Sequence, residues 1–149
     1  MVLYFRRGIV AAALLLTALP AFAADDVVML PVASAISTPE AQQKLSSSVK
    51  FYFDTQPVGS VAQTFGPFVS NRKTNAFGKT EIASCQRAFL SALISLHQRA
   101  DSLGANAGIH IVSYYRKHVV SSETEYECHK GFLMAGVALR GEVVRLADH

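Results

Sequence analysis

Apolar positions along the chain recur with two different periods. From Thr80 to Leu103 the apolar set is Ile82, Cys85, Phe89, Ala92, Leu93, Leu96, Ala100 and Leu103. Spacings of three and four residues put these side chains on one face of a long helix. Gly104 follows where a left-handed C-cap is needed. Elsewhere the period shortens towards two. "VVMLPVASAI" (27–36) predicts a first strand, with Pro31 at an edge or bulge. "VKFYF" (49–53) and "VGSVAQTFGPFV" (58–69) predict two more strands joined through "DTQP". Between Ala107 and Tyr115, Ile109, Ile111 and Ser113 fall on one side and His110, Val112 and Tyr114 on the other. A last strand runs from Tyr126 to about Arg140, with "GEVVRL" continuing it past Gly141. "STPEAQQKLSSS" places Pro39 in a first helical turn and predicts a short helix over 39–46. The polar, turn-rich "SNRKTNAFGKT" (70–80) predicts a loop. The pattern describes one α+β domain, a long amphipathic helix packed on an antiparallel sheet.

The N-terminus sets the compartment. Arg6 and Arg7 precede an apolar run, "GIVAAALLLTALP", and "AFA" stands before Ala24. Basic region, apolar core and A-x-A site together make residues 1–23 a cleavable signal peptide, with 24–149 the exported domain. The run is too short for a convincing membrane span, so none is expected to remain after cleavage. No Cys stands near the cleavage point to be lipidated. Arg6 and Arg7 are two of only 14 Lys and Arg, set against 11 Asp and Glu, so the exported part is nearly neutral. A nucleic-acid partner gains no electrostatic support from such a balance.

Export bears on the only two cysteines, Cys85 and Cys128. In an oxidising compartment a single pair is read first as a disulfide. The alternative is a reactive thiol, which needs a basic group beside it. His129 cannot serve Cys128 on one strand, since neighbouring side chains point to opposite faces. On that strand Glu125, Glu127 and His129 share the face away from Cys128. With His110 and His118 on a neighbouring strand, the set His110, His118, Glu127 and His129 is a candidate site for a divalent metal of borderline hardness. It has neither H-x-H nor H-E-x-x-H spacing. "FGKT" before the helix lacks the first glycine of a phosphate loop, that position being Lys73, which excludes a nucleotide on this motif. "GANAG" (104–108) stands at the wrong end of a helix for a dinucleotide fingerprint. No nucleophile elbow supports Ser/His/Asp catalysis. Phe51, Phe53, Tyr114 and Tyr115 are expected to be strand packing residues.

A Cys in the first turns of the helix (Cys85), "ADSLGANAGIHIVSYY", "YEC" and the strand "GFLMAGVALRGEV" together resemble a known pattern. It is similar to the RcsF-like family of envelope-stress sensor lipoproteins and, more distantly, to the YbjQ-like family with a dodecin-type β-α-β-β subunit. The likeness covers about residues 80–145. It implies a Cys85–Cys128 disulfide, in agreement with the compartment. The stress sensor's second disulfide would fall near Ser113 and Met134, neither of which is Cys. YbjQ-like proteins are described as forming rings, and heavy-metal binding has been ascribed to them.

These readings lead to a periplasmic, non-enzymatic protein without a cofactor, an interaction module associated with envelope stress. The rival expectation is a divalent-metal or small-ligand binder using His110, His118, Glu127 and His129. Partners would be envelope proteins or a second copy, because the last strand carries more apolar surface than one helix covers.

Overall fold

A computed structural model describes residues 25–147. The signal peptide expected over 1–23 lies outside the described residues. The elements are β1 (Asp26–Pro31), α1 (Val32–Ile36), α2 (Pro39–Lys44), β2 (Lys50–Phe53), β3 (Val61–Asn75), α3 (Glu81–Leu103), β4 (Ala107–Ser113), β5 (Glu125–Lys130) and β6 (Met134–Leu146), with a 3₁₀ turn at Tyr115–Lys117. The α+β class and the single long helix are as the pattern predicts. The six strands form one curled sheet in the order β1-β5-β6-β4-β2, with β3 paired to β6. Nothing in this arrangement establishes the dodecin-type subunit.

α3 begins and ends where the sequence places it. The Thr80 side chain accepts a hydrogen bond from Ala83 N, and Gly104 stops the helix with φ +67°. Cys85, Phe89, Ala92, Leu93, Leu96 and Ala100 are buried against the sheet. A fully buried Phe or Leu contributes roughly 1.5–3 kcal/mol, so this face is the main source of cohesion. Ile82 lies on the same face but ahead of the covered stretch, and is 57% exposed. α2 follows its cap as well: Thr38 accepts from Ala41 N, with Pro39 in the first turn.

Five local expectations are corrected. The strand expected over 27–36 ends at Pro31, after which the helix-forming "VASAI" coils into α1. The expected loop 70–80 is strand as far as Asn75. Every residue from Gly66 to Asn75 has a partner on β6, and backbone pairing outweighs the polar side chains, most of which face water. The single last strand is broken at Gly131, where Gly131 N donates to Met134 O and the chain reverses from β5 into β6. The sheet is mixed, because β2 and β4 run parallel. The alternation in β4 is interrupted at His110. Its φ of +51° inserts an extra residue, so that Ile109 opposes Glu142, Val112 opposes Arg140, and only Gly141 stands between. Ile109 therefore joins Ala107, Val144 and Leu146 on the outer face, while Ile111 faces the helix. A Cβ at Gly141 would lie 3.0 Å from Ile111 and 3.2 Å from Ile109 O, which explains the glycine.

Beyond Met134, which is 45% exposed, the apolar residues of β6 are buried within the chain. β3 runs along one edge, β5 and then β4 along the other, and Ala135, Val137, Leu139 and Val143 face the helix. The argument for self-association through this strand therefore loses its premise.

Tyr126 lies at the centre of the core, stacked on Phe89 at 4.0 Å between ring centroids. Its hydroxyl is buried and has no hydrogen-bond partner among the described residues. Burial pushes its phenol above the ordinary value. The folded state thus resists ionisation that the unfolded state undergoes near pH 10, so stability falls as pH rises through that value. Tyr126→Phe removes the unsatisfied hydroxyl. It is expected to raise stability by about 1 kcal/mol at pH 7 and by more above pH 10, as read by urea unfolding at both pH values.

Candidate functional site

The curl of the sheet brings the outer ends of its two branches, β1–β5 and β4–β2, towards each other. α1 extends from the end of β1, and Val32 N donates to Thr124 O at 2.9 Å, holding the helix beside the β5 end. Across from it runs β2, the outer strand of the other branch. Between them lies a cleft of about 500 Å³. Its walls are chiefly apolar: Val32, Ala33 and Ile36 from α1, and Phe51 and Phe53 from β2.

The polar groups at its rim are largely engaged with one another. Phe53 N donates to Gln56 Oε1 at 2.7 Å, and Gln56 Nε2 donates to Glu123 O at 3.0 Å. The Thr55 hydroxyl donates to Glu123 Oε1. Gln56 and Thr55 therefore tie the turn after β2 to the segment before β5 and hold the cleft at a fixed width. Phe53 is backed by the core, its ring tilted against that of Phe89 at 6.1 Å. Such a cavity can sequester an apolar body while the turn residues present polar groups at its mouth.

The sequence-predicted residues are distributed as follows. Cys85 and Cys128 form the disulfide, with Cα atoms 5.9 Å apart and both residues fully buried. It joins the second turn of α3 to β5, and Tyr126 and Cys128 face the helix as expected. Glu127 and His129 share the opposite face. Glu127 is buried, Glu127 Oε1 lies 2.7 Å from His129 Nε2, and Tyr115 stacks on the His129 ring at 3.7 Å. Glu125 is exposed. His110 is held elsewhere, with Nδ1 3.0 Å from Asp54 O beside the bulge. His118 is exposed in the turn that follows the 3₁₀ segment. No group of three or more His, Cys, Asp or Glu is placed to hold a metal among the described residues. The four-residue metal set is thus reduced to the pair Glu127–His129, because the bulge turns His110 towards Asp54.

Two features escaped sequence reasoning. The cleft depends on strand edges that meet only in three dimensions, and no local pattern marks it. His97, on the buried face of α3, bridges Ser46 Oγ at 2.9 Å and Asp101 Oδ2 at 3.1 Å, fastening the segment after α2 to the helix. Its i,i+4 spacing from Asp101 was the one available signal.

No family model, curated protein or solved structure matches this chain.

Cys85→Ala is expected to lower unfolding stability by about 2–5 kcal/mol, measured by denaturant titration. Thiol labelling of the denatured, unreduced wild-type chain should detect no free thiol.

Proposed function

We propose that this chain is an exported, non-enzymatic binding protein of the cell envelope, and that the cleft between α1 and β2 takes a small ligand with an apolar body. The observation that carries the reading is the cleft itself, an apolar-walled cavity whose rim hydrogen bonds are mutually satisfied. A cavity of this size and lining suits a small molecule held by burial, with few polar groups to orient it. The buried disulfide supports export, since such a bond persists in an oxidising compartment. The periplasm is the compartment that this bond and the leader-like N-terminus favour. The stress-associated role rests on the resemblance over residues 80–145, and the ligand-binding role on the cleft.

The binding test uses 1-anilinonaphthalene-8-sulfonate, an aromatic probe with an apolar body. Its addition should shift amide resonances centred on Ala33, Ile36, Phe51 and Thr124. Ala33→Trp, which fills the cleft from α1, should weaken the probe at least about tenfold while leaving the melting temperature unchanged. Shifts centred elsewhere, or unaltered affinity in Ala33→Trp, overturn the cleft as the site.

Export is tested separately. N-terminal sequencing of protein from the periplasmic fraction should begin at Ala24 or a residue close to it. Recovery of the full-length chain from the cytoplasm refutes export without touching the cleft.

A further inference from the structure

Ser46, His97 and Asp101 stand in a fixed order of atoms. The Ser46 hydroxyl lies 2.9 Å from His97 Nε2, and His97 Nδ1 lies 3.1 Å from Asp101 Oδ2. His97 and Asp101 are one turn apart on α3, while Ser46 comes from the segment between α2 and β2. The proton positions follow from the partners. A carboxylate only accepts, so with the ring neutral its proton sits on Nδ1 and is donated to Asp101. Nε2 is then an acceptor, and the Ser46 O–H donates to it. Ser48 Oγ is 2.5 Å from Ser46 Oγ. Since the Ser46 proton is directed at His97, Ser48 donates to Ser46 and fixes its side chain.

Exposure is divided in a way that suits chemistry better than cohesion. His97 is 7% exposed, and its ring packs against Phe51 at 6.4 Å between centroids. Ser46 is exposed. The base is thus shielded and oriented, and the hydroxyl it polarises meets solvent. A tie that only held the segment to the helix would gain little from an exposed hydroxyl, for which water competes. A hydroxyl on a base that is itself oriented by a carboxylate is the arrangement that activates a serine as nucleophile. Such a constellation is defined by geometry and needs no strand-to-helix elbow, and Ser46 stands in none.

We propose that Ser46 is a reactive serine that takes an acyl group from an activated ester, with His97 as general base and Asp101 as positioning residue. The Ser46 proton passes to His97 Nε2 as Oγ bonds to the carbonyl carbon. The bond from that carbon to the leaving oxygen then breaks. The leaving oxygen keeps the electron pair and takes the proton from His97 when it is basic enough to hold it. The products are an ester on Ser46 and a free alcohol or phenol, with nothing oxidised or reduced. One transfer per chain is a modification. It goes beyond the binding reading without resting on it, since none of the three residues lines the cleft.

The probe is p-nitrophenyl acetate, followed by release of p-nitrophenolate and by peptide mass spectrometry of the acetylated protein. Ser46 should be acetylated at least about a hundredfold faster than its exposed neighbour Ser47, the least that a positioned general base supplies. Ser46→Ala should remove that fast phase. Asp101→Asn should slow acetylation of Ser46 at least about tenfold. Both changes fall on exposed side chains, so both variants should melt as the parent does. Long-range proton–nitrogen spectra of the His97 ring should place its proton on Nδ1 in the parent and move it in Asp101→Asn. A ring proton on Nε2 in the parent overturns the proposal. So does a rate unchanged in Asp101→Asn, acetylation of Ser47 as fast as of Ser46, or no acetyl group on Ser46. None of these results bears on the aromatic probe in the cleft, so the two readings fail separately.

Discussion

The structure depends on how β6 shares its two edges. Along one edge it pairs with β3 almost without interruption. Along the other it pairs first with β5, at Ala135 and Gly136, and then with β4, from Leu139 to Val144. Two strands diverging from one edge leave a fork, and a fork exposes backbone groups that must find partners. Tyr114 N donates to Ala138 O there, and the Ser113 hydroxyl accepts from Glu127 N, so the side chain of one branch satisfies the backbone of the other. Divergence also curls the sheet around α3. That curl is what brings α1, at the end of the β1–β5 wing, within reach of β2 and opens the cleft between them.

The wing is weakly held by its ladder. Only His129 and Lys130 of β5 pair with β6. The remainder of the attachment is side-chain chemistry from α3: the Cys85–Cys128 disulfide and the stack of Phe89 on Tyr126. On the other face, Tyr115 and Glu127 clasp His129. The disulfide therefore does more than shorten the unfolded chain's freedom. It pins the strand that carries β1 and, through β1, the wall of the cleft. A cross-link here stabilises the geometry of the site along with the fold, which connects the compartment to the binding role proposed above.

α2 and α3 were legible because their signals are local, whereas α1 was read as strand. Thr80 and Gly104 bracket α3, Thr38 and Pro39 open α2, and the apolar stripe names most of the buried face. The strands were less legible because their signals are not local. "SNRKTN" is polar yet lies in a strand, since its partner is a long strand some sixty residues further on. "HKGFLMAG" looks continuous because the residues of its turn are apolar, and their exposure is evident only once the loop is seen to project. At His110 a positive φ reversed every later facing in β4, which no count of alternating residues detects. The disulfide was legible from compartment and cysteine number. Of the four metal candidates only Glu127 and His129 are brought together, since His110 is held at Asp54 O by the bulge and His118 is exposed after the 3₁₀ turn.

The same distinction bears on function. Charge patterning carries little information in a chain with 14 Lys and Arg against 11 Asp and Glu, and the rim groups of the cleft are largely engaged with one another. What is left for recognition is apolar surface in two places. One is concave, between α1 and β2, and fits a bounded ligand. The other is the exposed group Phe77, Phe132, Leu133 and Met134 at the opposite end of β1. β1 spans the distance between them, roughly 17 Å at about 3.3 Å per residue. Since the β1–β5 wing is fixed to α3 by one disulfide and one aromatic stack, the cleft wall and the Gly131 loop are carried by the same tethered unit.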